Sequence, residues 1–497
     1  MKTDQFPEDI RPHLLPVPDG DLGYDCLNCR ERLAPDHLYY TCPKCGGLLM
    51  LSDRKASRLA LKPGSFWQKL FDCRRMSNCQ AVRGIFTFHE FIAPLLPLED
   101  IVYLGEGHTP LVAAPEILAR EVGIPFYVKL DGLNPSASFK DRGMAAALSY
   151  LKYLTRTQGL DQVMAVCAST GDTSAAAALY SASLGGPIKS AVILPKGRVT
   201  PQQLSQPLGS GAQVFELPGV FDDCMKVVEY LSDRYQVALL NSKNPWRVLG
   251  QESYAYETAQ QFDWETGNLA VIVPVGNAGN ITAILSGFLK FYRFGIIDRL
   301  PKIIAVQSER ANPVFLYYRQ SPSERKYAPV TVRPSVAQAA MIGDPVSFPR
   351  LARLAEEYEK TAGQAFLAVE VGEEAIMESM IQANRRGLSV CTQGGEGLAG
   401  LKAALAAGLI GPGEIPVVDS TAHALKFMDF QQGYFEGRLA EEYGIRTKPG
   451  LVNQPRSLEL DGPVPGGSRK LADGEYQAFV AGAARKIAAC LGLKENI

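Results

Sequence analysis

One lysine stands in a segment whose neighbours could turn its amine into a reagent. Residues 134–143 read NPSASFKDRG, and Lys140 directly follows an aromatic residue. The strand-like stretch Phe126–Leu130 precedes it and an alanine-rich, helix-prone run, Met144–Leu154, follows it, which predicts a turn from strand to helix. A side chain at such a turn can point into a cleft, where a desolvated amine loses its proton and becomes nucleophilic. The alternative is a solvated lysine in the first turn of a surface helix.

Three later stretches carry the small and hydroxyl-bearing residues that favour anion binding. Residues 163–177 and 269–283 each read as a buried strand, a Gly-containing turn and a helix, and a third strand, Pro416–Asp419, ends in Ser420 and Thr421. Small residues let backbone N–H groups approach an anion, and the following helix adds the positive end of its dipole. One such turn is weak evidence, because turns of this kind often merely connect strands to helices. Three of them, together with the lysine, favour a phosphate-bearing cofactor held by Lys140.

Four cysteines near the start have the spacing of metal ligands. Cys26 and Cys29 form a C-x-x-C pair, and after twelve intervening residues Cys42 and Cys45 form a second one. Two such turns bring four thiolates to tetrahedral distance around zinc. Because sulfur fills every position, the site is predicted to be structural rather than catalytic. The alternatives are disulfides, which a reducing compartment disfavours, and degenerate or redox-active pairs.

Composition indicates an ordinary soluble globular protein. The chain has 497 residues, 46% of them apolar and 21% charged, with a net charge of −1, which is enough for two or three domains. A balanced charge gives no reason to expect nucleic acid or an acidic membrane as a partner. The first residues lack the plan of a signal peptide and no apolar run is long enough to span a bilayer, so a cytoplasmic location is expected.

Continuous apolar runs predict an α/β fold. The candidate strands lack polar alternation, so we expect them to be buried on both faces in parallel or mixed sheets covered by helices. These candidates are Phe126–Leu130, Met164–Ala168, Ser190–Leu194, Gln213–Leu217, Ala238–Leu240, Leu269–Val273, Ile303–Val306 and Val417–Asp419. The motifs fall at the carboxyl ends of strands, where open sheets of this kind bind ligands. Residues 51–100 are expected to form a mixed linker, and an amphipathic helix is expected after a Pro/Gly-rich hinge near the C-terminus.

In these segments the chain resembles the threonine synthases, pyridoxal-phosphate (PLP) enzymes of fold type II, the tryptophan synthase β family. NPSASFKDRGM is similar to the family's lysine motif, STGDTSAA to its substrate-carboxylate turn and VGNAGN to its cofactor-phosphate loop. LGEGHTPL, NSKNPWR and STAHALKF match further family segments in order and spacing. The resemblance spans about 102–427 and implies two α/β domains. The predicted divisions are a zinc-ribbon segment at 1–55, the linker and first part of the large domain at 56–150, a smaller domain at 151–245, the rest of the large domain at 246–435 and an extension at 436–497.

The resemblance also implies roles for individual residues. Lys140 would hold PLP and act as the catalytic residue, Thr421 would face the pyridine nitrogen and Asp172 would stand near the phenolic oxygen. The cofactor phosphate is expected on the backbone amides of Gly276, Asn277, Ala278, Gly279 and Asn280. The implied substrate-binding residues are Ser169, Thr170, Thr173, Asn241, Ser242 and Arg247. Arg247 would be the planar clamp for a substrate phosphate.

Some of these assignments have plainer alternatives. Arg247 could pair with a surface carboxylate, and Asn241 and Ser242 could cap the helix that follows Pro245. Asp172 raises a separate question, because a carboxylate facing an ionised phenol is repelled unless one of them holds a proton.

The reaction implied by the resemblance converts O-phosphohomoserine and water into L-threonine and phosphate. Phosphate leaves from Cγ and water then adds at Cβ, while Lys140 moves the protons. Two other function classes stay open: another fold type II enzyme, such as an amino-acid dehydratase or a β-replacement synthase, and a catalytically inactive zinc-ribbon adaptor. A dehydratase has no substrate phosphate for Arg247 to hold. A homodimer that acts on a small molecule is expected.

Overall fold

The apolar runs of the sequence form three sheets. The computed structural model describes residues 3–168, 171–196, 201–219, 221–466 and 470–494, with the backbone alone at 201–203 and 221–222. Its strands are β1 (Leu22–Cys26), β2 (Arg32–Leu33), β3 (Leu49–Asp53), β4 (Leu111–Ala113), β5 (Tyr127–Leu130), β6 (Val163–Ala168), β7 (Ile188–Pro195), β8 (Gln213–Leu217), β9 (Val237–Leu239), β10 (Leu269–Pro274), β11 (Lys302–Ser308), β12 (Leu367–Val371) and β13 (Ile415–Ser420).

Helices alternate with these strands over most of the chain. The α-helices are α1 (Gly64–Arg75), α2 (His89–Ile92), α3 (Glu116–Val122), α4 (Lys140–Gln158), α5 (Asp172–Leu184), α6 (Pro201–Gly209), α7 (Phe221–Arg234), α8 (Pro245–Gln251), α9 (Ser253–Gln261), α10 (Gly279–Arg293), α11 (Pro313–Tyr318), α12 (Phe348–Ala362), α13 (Glu373–Arg385), α14 (Thr392–Ala406), α15 (Met428–Phe435), α16 (Ala440–Tyr443) and α17 (Asp473–Leu491). Among the helices described, none combines the length and the apolar character that a membrane crossing needs.

The larger sheet has six strands in the order β12-β11-β10-β13-β5-β4. All neighbours are parallel except β4, which runs antiparallel to β5 along the edge. Every residue of β10 is buried, and α14 packs on β10 and β13. The uninterrupted apolar run of β10 therefore reflects burial on both faces, as the sequence predicts.

The smaller sheet has four parallel strands in the order β8-β7-β6-β9. These two sheets and the helices between their strands form an α/β fold, as predicted. Each of the eight predicted strands is present, with ends within two residues of the prediction. The Gly- and hydroxyl-rich motifs follow the carboxyl ends of β6, β10 and β13. The prediction that these motifs lie at ligand-binding edges of parallel sheets is therefore consistent with the topology.

The third sheet is a small antiparallel ribbon near the N-terminus, with the order β2-β1-β3. Tyr24 on β1 is paired with Leu33 on one side and with Leu51 on the other. Two tight turns carry the cysteine pairs: the N–H of Arg30 donates to the Cys26 carbonyl at 3.2 Å, and the N–H of Gly46 donates to the Cys42 carbonyl at 2.8 Å.

The expected linker at 51–100 is wrong in part, because this segment joins the hydrophobic core. Helix α1 buries Trp67 and Phe71, and its neighbour Phe91 is also buried. The ring of Phe291 on α10 lies 6.1 Å from that of Phe71 and 5.3 Å from that of Phe91. Aromatic side chains dominate core packing wherever they meet, so this segment is part of the packed molecule.

The chain divides into two compact units, Met1–Thr447 and Lys448–Ile497. The second contains α17, the helix expected near the C-terminus. The domain boundaries given above, including the extension from residue 436, stay predictions.

Candidate active site

A cavity of about 910 Å³ opens at the carboxyl ends of β6, β9, β10 and β13. Every candidate cofactor or substrate residue within the described part of the chain lines it: Lys140, Asp172, Thr173, Asn241, Ser242, Arg247, Gly276, Asn277, Ala278, Gly279, Asn280 and Thr421. Ser169 and Thr170 lie outside the described residues. Segments more than a hundred residues apart in the chain thus meet in one place.

Lys140 is the first residue of α4 and is half-buried against the cavity. Its Nζ lies 3.6 Å from the centroid of the Phe139 ring. Burial lowers the pKa of Lys140 to about 7, and the cations Arg247 and Lys426 act in the same direction. The amine is therefore largely neutral at mildly alkaline pH, which a nucleophile or base requires. The alternative of a solvated surface lysine is wrong.

The loop Gly276–Asn280 leads from β10 into α10 and forms a cradle of backbone amides. Ala278 adopts a left-handed conformation, with φ of 60°, at the N-cap of this fifteen-residue helix. A Cβ on Gly276 would lie 2.9 Å from Ala340 Cα, so only glycine allows this close approach. The first N–H groups of a helix have no acceptor within it and point toward any anion placed at its start. The loop is thus suited to a phosphate.

The end of β13 is tied directly to the start of α4. The N–H of Phe139 donates to the Thr421 carbonyl at 2.8 Å, and Ser138 forms a bridge with Ala422. Thr421 is buried, with its hydroxyl 3.9 Å from the Cys391 Sγ. These contacts keep the hydroxyl of Thr421 and the amine of Lys140 in the lining of the same cavity.

Lys426 forms an ion pair with Asp172, the carboxylate expected near the phenolic oxygen of the cofactor. It lies in the 3₁₀ turn Ala424–Phe427, and its Nζ is 2.8 Å from Asp172 Oδ1 and 3.0 Å from the Ser136 carbonyl. The Asp172 carboxylate is therefore neutralised by a neighbouring ammonium. Lys426 was not among the predicted site residues, although it belongs to the STAHALKF segment, five positions after Thr421. No sequence pattern points to Asp172 as its partner.

Arg247 is buried, and none of the described carboxylates forms an ion pair with it. Its Nη1 donates to the Leu240 carbonyl at 3.1 Å, and its Nε is buried with no hydrogen-bond partner among the described residues. Burial lowers the pKa of Arg247 to about 10. The alternative in which Arg247 pairs with a surface carboxylate is wrong, because no carboxylate of the described chain lies at ion-pair distance. Arg247 lines the cavity, and a buried guanidinium without a carboxylate partner is suited to an anionic ligand.

Asn241 and Ser242 do not cap the following helix. Asn244 does so, accepting from the N–H of Trp246 at 2.9 Å. The amide of Asn241 instead bonds the backbone of Ala168, accepting at 3.0 Å and donating at 2.6 Å. Asn241 therefore fastens the loop after β9 to the end of β6.

The four ribbon cysteines form the group with metal spacing among the described residues, and their sulfur atoms all lie within 4.8 Å of one another. Cys26 Sγ is 3.5 Å from Cys45 Sγ, and Cys29 Sγ is 3.6 Å from Cys42 Sγ. Sulfur atoms bound to one tetrahedral zinc are about 3.8 Å apart, so the arrangement fits that ion. All four are free cysteines, and the disulfide alternative is wrong.

Comparison with known proteins identifies the class of this enzyme. Residues 102–420 match the family described as pyridoxal-phosphate dependent enzyme. The match covers more than half of the chain, which therefore belongs to this family.

The curated relatives refine the class. The threonine synthase of Methanocaldococcus jannaschii is 36% identical over 406 residues, which is 81% of this chain and 93% of the relative. Threonine synthase 2, chloroplastic, of Arabidopsis thaliana is 35% identical over 380 residues, which is 76% of this chain and 72% of the relative. Within the family the chain groups with the threonine synthases, and the resemblance found in the sequence is confirmed.

The solved structures agree at the level of the fold. The structure of threonine synthase from Escherichia coli has a TM-score of 0.59 with 21% identity, covering 86% of this chain and 93% of that chain. At this identity the likeness supports the α/β architecture alone.

Proposed function

We propose that this chain converts O-phosphohomoserine and water into L-threonine and phosphate with PLP as cofactor. The observation that supports the proposal is that two groups suited to anions line one cavity. The amide cradle at 276–280 suits one phosphate, and the buried Arg247 suits another. A PLP enzyme whose substrate is itself phosphorylated needs both. The threonine synthases among its relatives support the same assignment.

The residues of the cavity fit PLP. Glycine at 276 lets the loop pack closely against Ala340. The amides at the start of α10 would take the cofactor phosphate, and Lys140 offers a neutral amine for the aldehyde. Thr421 would face the ring nitrogen, and the Asp172–Lys426 pair would lie near the phenolic oxygen. When bound, PLP supplies an electron sink for bonds broken next to the substrate nitrogen.

Different groups of the protein would then move protons, bind the substrate phosphate and bind the substrate carboxylate. Lys140 Nζ, with its lowered pKa, takes the proton from the substrate Cα and returns protons later in the reaction. Arg247 holds the substrate phosphate through charge-assisted hydrogen bonds and stabilises it as it leaves from Cγ. Thr173, in the first turn of α5, and the preceding turn would hold the substrate carboxylate at the positive end of the helix dipole.

The alternative of a dehydratase leaves Arg247 without a function, since that substrate carries no phosphate. The alternative of an inactive adaptor leaves the lowered pKa of Lys140 and the unused donor of Arg247 without a function. Neither alternative is favoured by an observation of its own.

The test is a product assay on the purified holoenzyme. We expect phosphate and threonine to be released in equal amounts from O-phosphohomoserine, and Lys140→Ala to abolish both. Release of ammonia and an oxoacid from threonine, with no phosphate from O-phosphohomoserine, would show that the chain is a dehydratase.

Three further properties are proposed on less direct grounds. The sulfur geometry supports a structural zinc ion in the ribbon, which would be detected as one zinc per chain in the purified protein. The homodimer and the cytoplasmic location rest on the sequence alone, and one relative is named as chloroplastic.

A further inference from the structure

The segment Leu239–Arg247, here called the clamp segment, carries three of the proposed substrate residues and lies against the N-terminal ribbon. Little of this segment is regular secondary structure, because β9 ends at Leu239 and α8 begins at Pro245. On the cavity side, the amide of Asn241 fastens it to Ala168. On the opposite side it is held by a buried arginine and by two tyrosines of the ribbon.

The arginine is Arg350, the third residue of α12, which is fully buried. Its Nη1 donates to the Ser242 carbonyl at 3.0 Å, and its Nη2 donates to the Lys243 carbonyl at 2.8 Å. Its Nε and Nη2 also donate to the carbonyl of Leu49, on β3 of the ribbon, at 3.0 and 2.7 Å. One planar guanidinium thus joins the ribbon to the clamp segment.

Arg350 is held by carbonyl dipoles rather than by an opposite charge. Burial lowers the pKa of Arg350 to about 10, and no carboxylate of the described chain contributes to the shift. A buried cation without a carboxylate partner is costly, so the hydrogen bonds to the carbonyls of Leu49, Ser242 and Lys243 must offset that cost. A guanidinium reaches several carbonyls at once in a fixed plane, which a lysine ammonium cannot do.

The two tyrosines hold the ends of the clamp segment. The hydroxyl of Tyr40 accepts from the N–H of Leu239 at 2.8 Å, and the hydroxyl of Tyr24 accepts from Trp246 Nε1 at 2.9 Å. The indole of Trp246 also stacks on the ring of Tyr150, with 3.8 Å between ring centroids. The ribbon therefore contacts the clamp segment at its start and next to Arg247.

Arg247 itself depends on this arrangement, because its Nη1 donates to the Leu240 carbonyl inside the same segment. A shift of residues 240–243 would disturb the hydrogen bond that orients the Arg247 guanidinium. Small displacements of a binding group are costly when the ligand must be held in one geometry.

We propose that Arg350 is a positioning residue for the substrate-anion site and that the ribbon is the anchor through which it acts. The proposal rests on the proposed function of Arg247 as the clamp for the substrate phosphate. The ribbon would thus contribute to substrate affinity, in addition to any role that it has as a separate module.

The test compares holoenzymes of Arg350→Gln and Tyr40→Phe with wild type. We expect KM for O-phosphohomoserine and the inhibition constant of inorganic phosphate each to rise about tenfold in Arg350→Gln, as the loss of buried hydrogen bonds implies. In both variants kcat and the visible absorption of the cofactor should stay within about twofold of wild type. Tyr40→Phe should show a smaller rise in both affinity constants, and Arg350→Lys should restore part of the loss.

Control variants are available elsewhere in the core. Arg74 is fully buried and donates to the carbonyls of Leu14, Thr87 and His13, and unlike Arg350 it also pairs with a carboxylate, that of Glu90, at 2.6 Å. The hydroxyl of Tyr358 donates to the Pro301 carbonyl. Arg74→Gln and Tyr358→Phe should lower the melting temperature and leave both affinity constants unchanged.

The outcomes separate the two proposals. If Arg350→Gln and Tyr40→Phe change only the melting temperature, as the controls do, Arg350 is merely structural and the inference is overturned. If Arg350→Gln does not fold, Tyr40→Phe decides in the same way. If Arg247→Gln leaves the inhibition constant of phosphate unchanged, the proposed function of Arg247 fails first, and the inference fails with it.

Discussion

Two buried charged regions lie side by side in this molecule, and they differ in whether their cations are paired with carboxylates. Around Arg142, every charge has a partner: the guanidinium contacts Asp131 at 2.7 Å and Glu257 at 2.6 Å, and Lys129 contacts Glu257 at 2.9 Å. In the cavity, Arg247 has no carboxylate partner among the residues that the structure describes, and its buried Nε makes no hydrogen bond to them. Lys140 of the cavity and Arg142 of the paired region are two residues apart on one helix. The two regions therefore meet within a single helical turn.

The pKa shifts follow the same division. Burial disfavours the charge on Arg142, but Asp131 and Glu257 outweigh it and raise the pKa of Arg142 well above its usual range. For Lys140 and Arg247 burial prevails and lowers the pKa to about 7 and about 10. A buried charge that is fully paired supports the fold, whereas one left unpaired beside a cavity is suited to a ligand.

The largest effect is expected from removing the amine of the cavity. Lys140→Ala should lower the rate of phosphate release from O-phosphohomoserine at least about a thousandfold, because both the nucleophile and the proton carrier are lost. The assay is inorganic phosphate release, with the visible spectrum as a second readout. Lys152→Ala, farther along the same helix, should keep the wild-type rate and colour. Retention of activity by Lys140→Ala would remove the basis of the comparison.

The two arginines should respond in opposite ways to the same substitution. Arg247→Gln should raise KM for O-phosphohomoserine about thirtyfold or more, as the loss of a charged partner implies, and should leave the free energy of unfolding nearly unchanged. Arg142→Gln should lower the free energy of unfolding by about 3–5 kcal/mol, because Asp131 would be left buried without its cation and Glu257 would keep only Lys129 as a partner.

Denaturant unfolding and steady-state kinetics on both variants measure these effects. If Arg247→Gln proves as destabilising as Arg142→Gln while KM stays unchanged, the distinction between a paired structural charge and an unpaired ligand site does not hold here.

The capture of PLP by the apoenzyme should depend on pH through Lys140. Below a pH of about 7 the amine is protonated and cannot attack an aldehyde, so capture at pH 6 should be about tenfold slower than at pH 8. Stopped-flow absorbance after mixing apoenzyme with PLP gives the rate. Arg247→Gln should move the midpoint to higher pH, since it removes a cation that lowers this pKa. A midpoint near the ordinary value for lysine would show that the amine is solvated.

The smallest effect on turnover is expected from the ribbon metal. Replacing Cys45 with serine should lower zinc content and melting temperature, because structural zinc contributes to folding. We expect kcat to stay within about twofold, since four sulfur ligands leave no open position for chemistry, while KM should rise as the ribbon loosens. Metal analysis, thermal unfolding and kinetics on one preparation provide the check. A loss of kcat with unchanged KM would contradict the structural assignment.

Much of the architecture can be predicted from local patterns. The strand β10 is a continuous apolar run, and the turn Gly276–Asn280 follows it directly, so strand, turn and helix can each be predicted from neighbouring residues. The two cysteine pairs are likewise a local signal. The motif resemblance that led to the threonine synthases consists of such short segments.

The pairing of charges could not be predicted in this way. Nothing near Lys426 shows that it neutralises Asp172, and nothing near Arg350 shows that it donates to Leu49, about three hundred residues earlier in the chain. The sequence by itself determined the elements, the cysteine spacing and the amine at residue 140, because these depend on neighbours along the backbone. Only the tertiary structure decided which buried cation is neutralised and which is left facing a cavity, because desolvation and Coulomb interaction depend on distances in space.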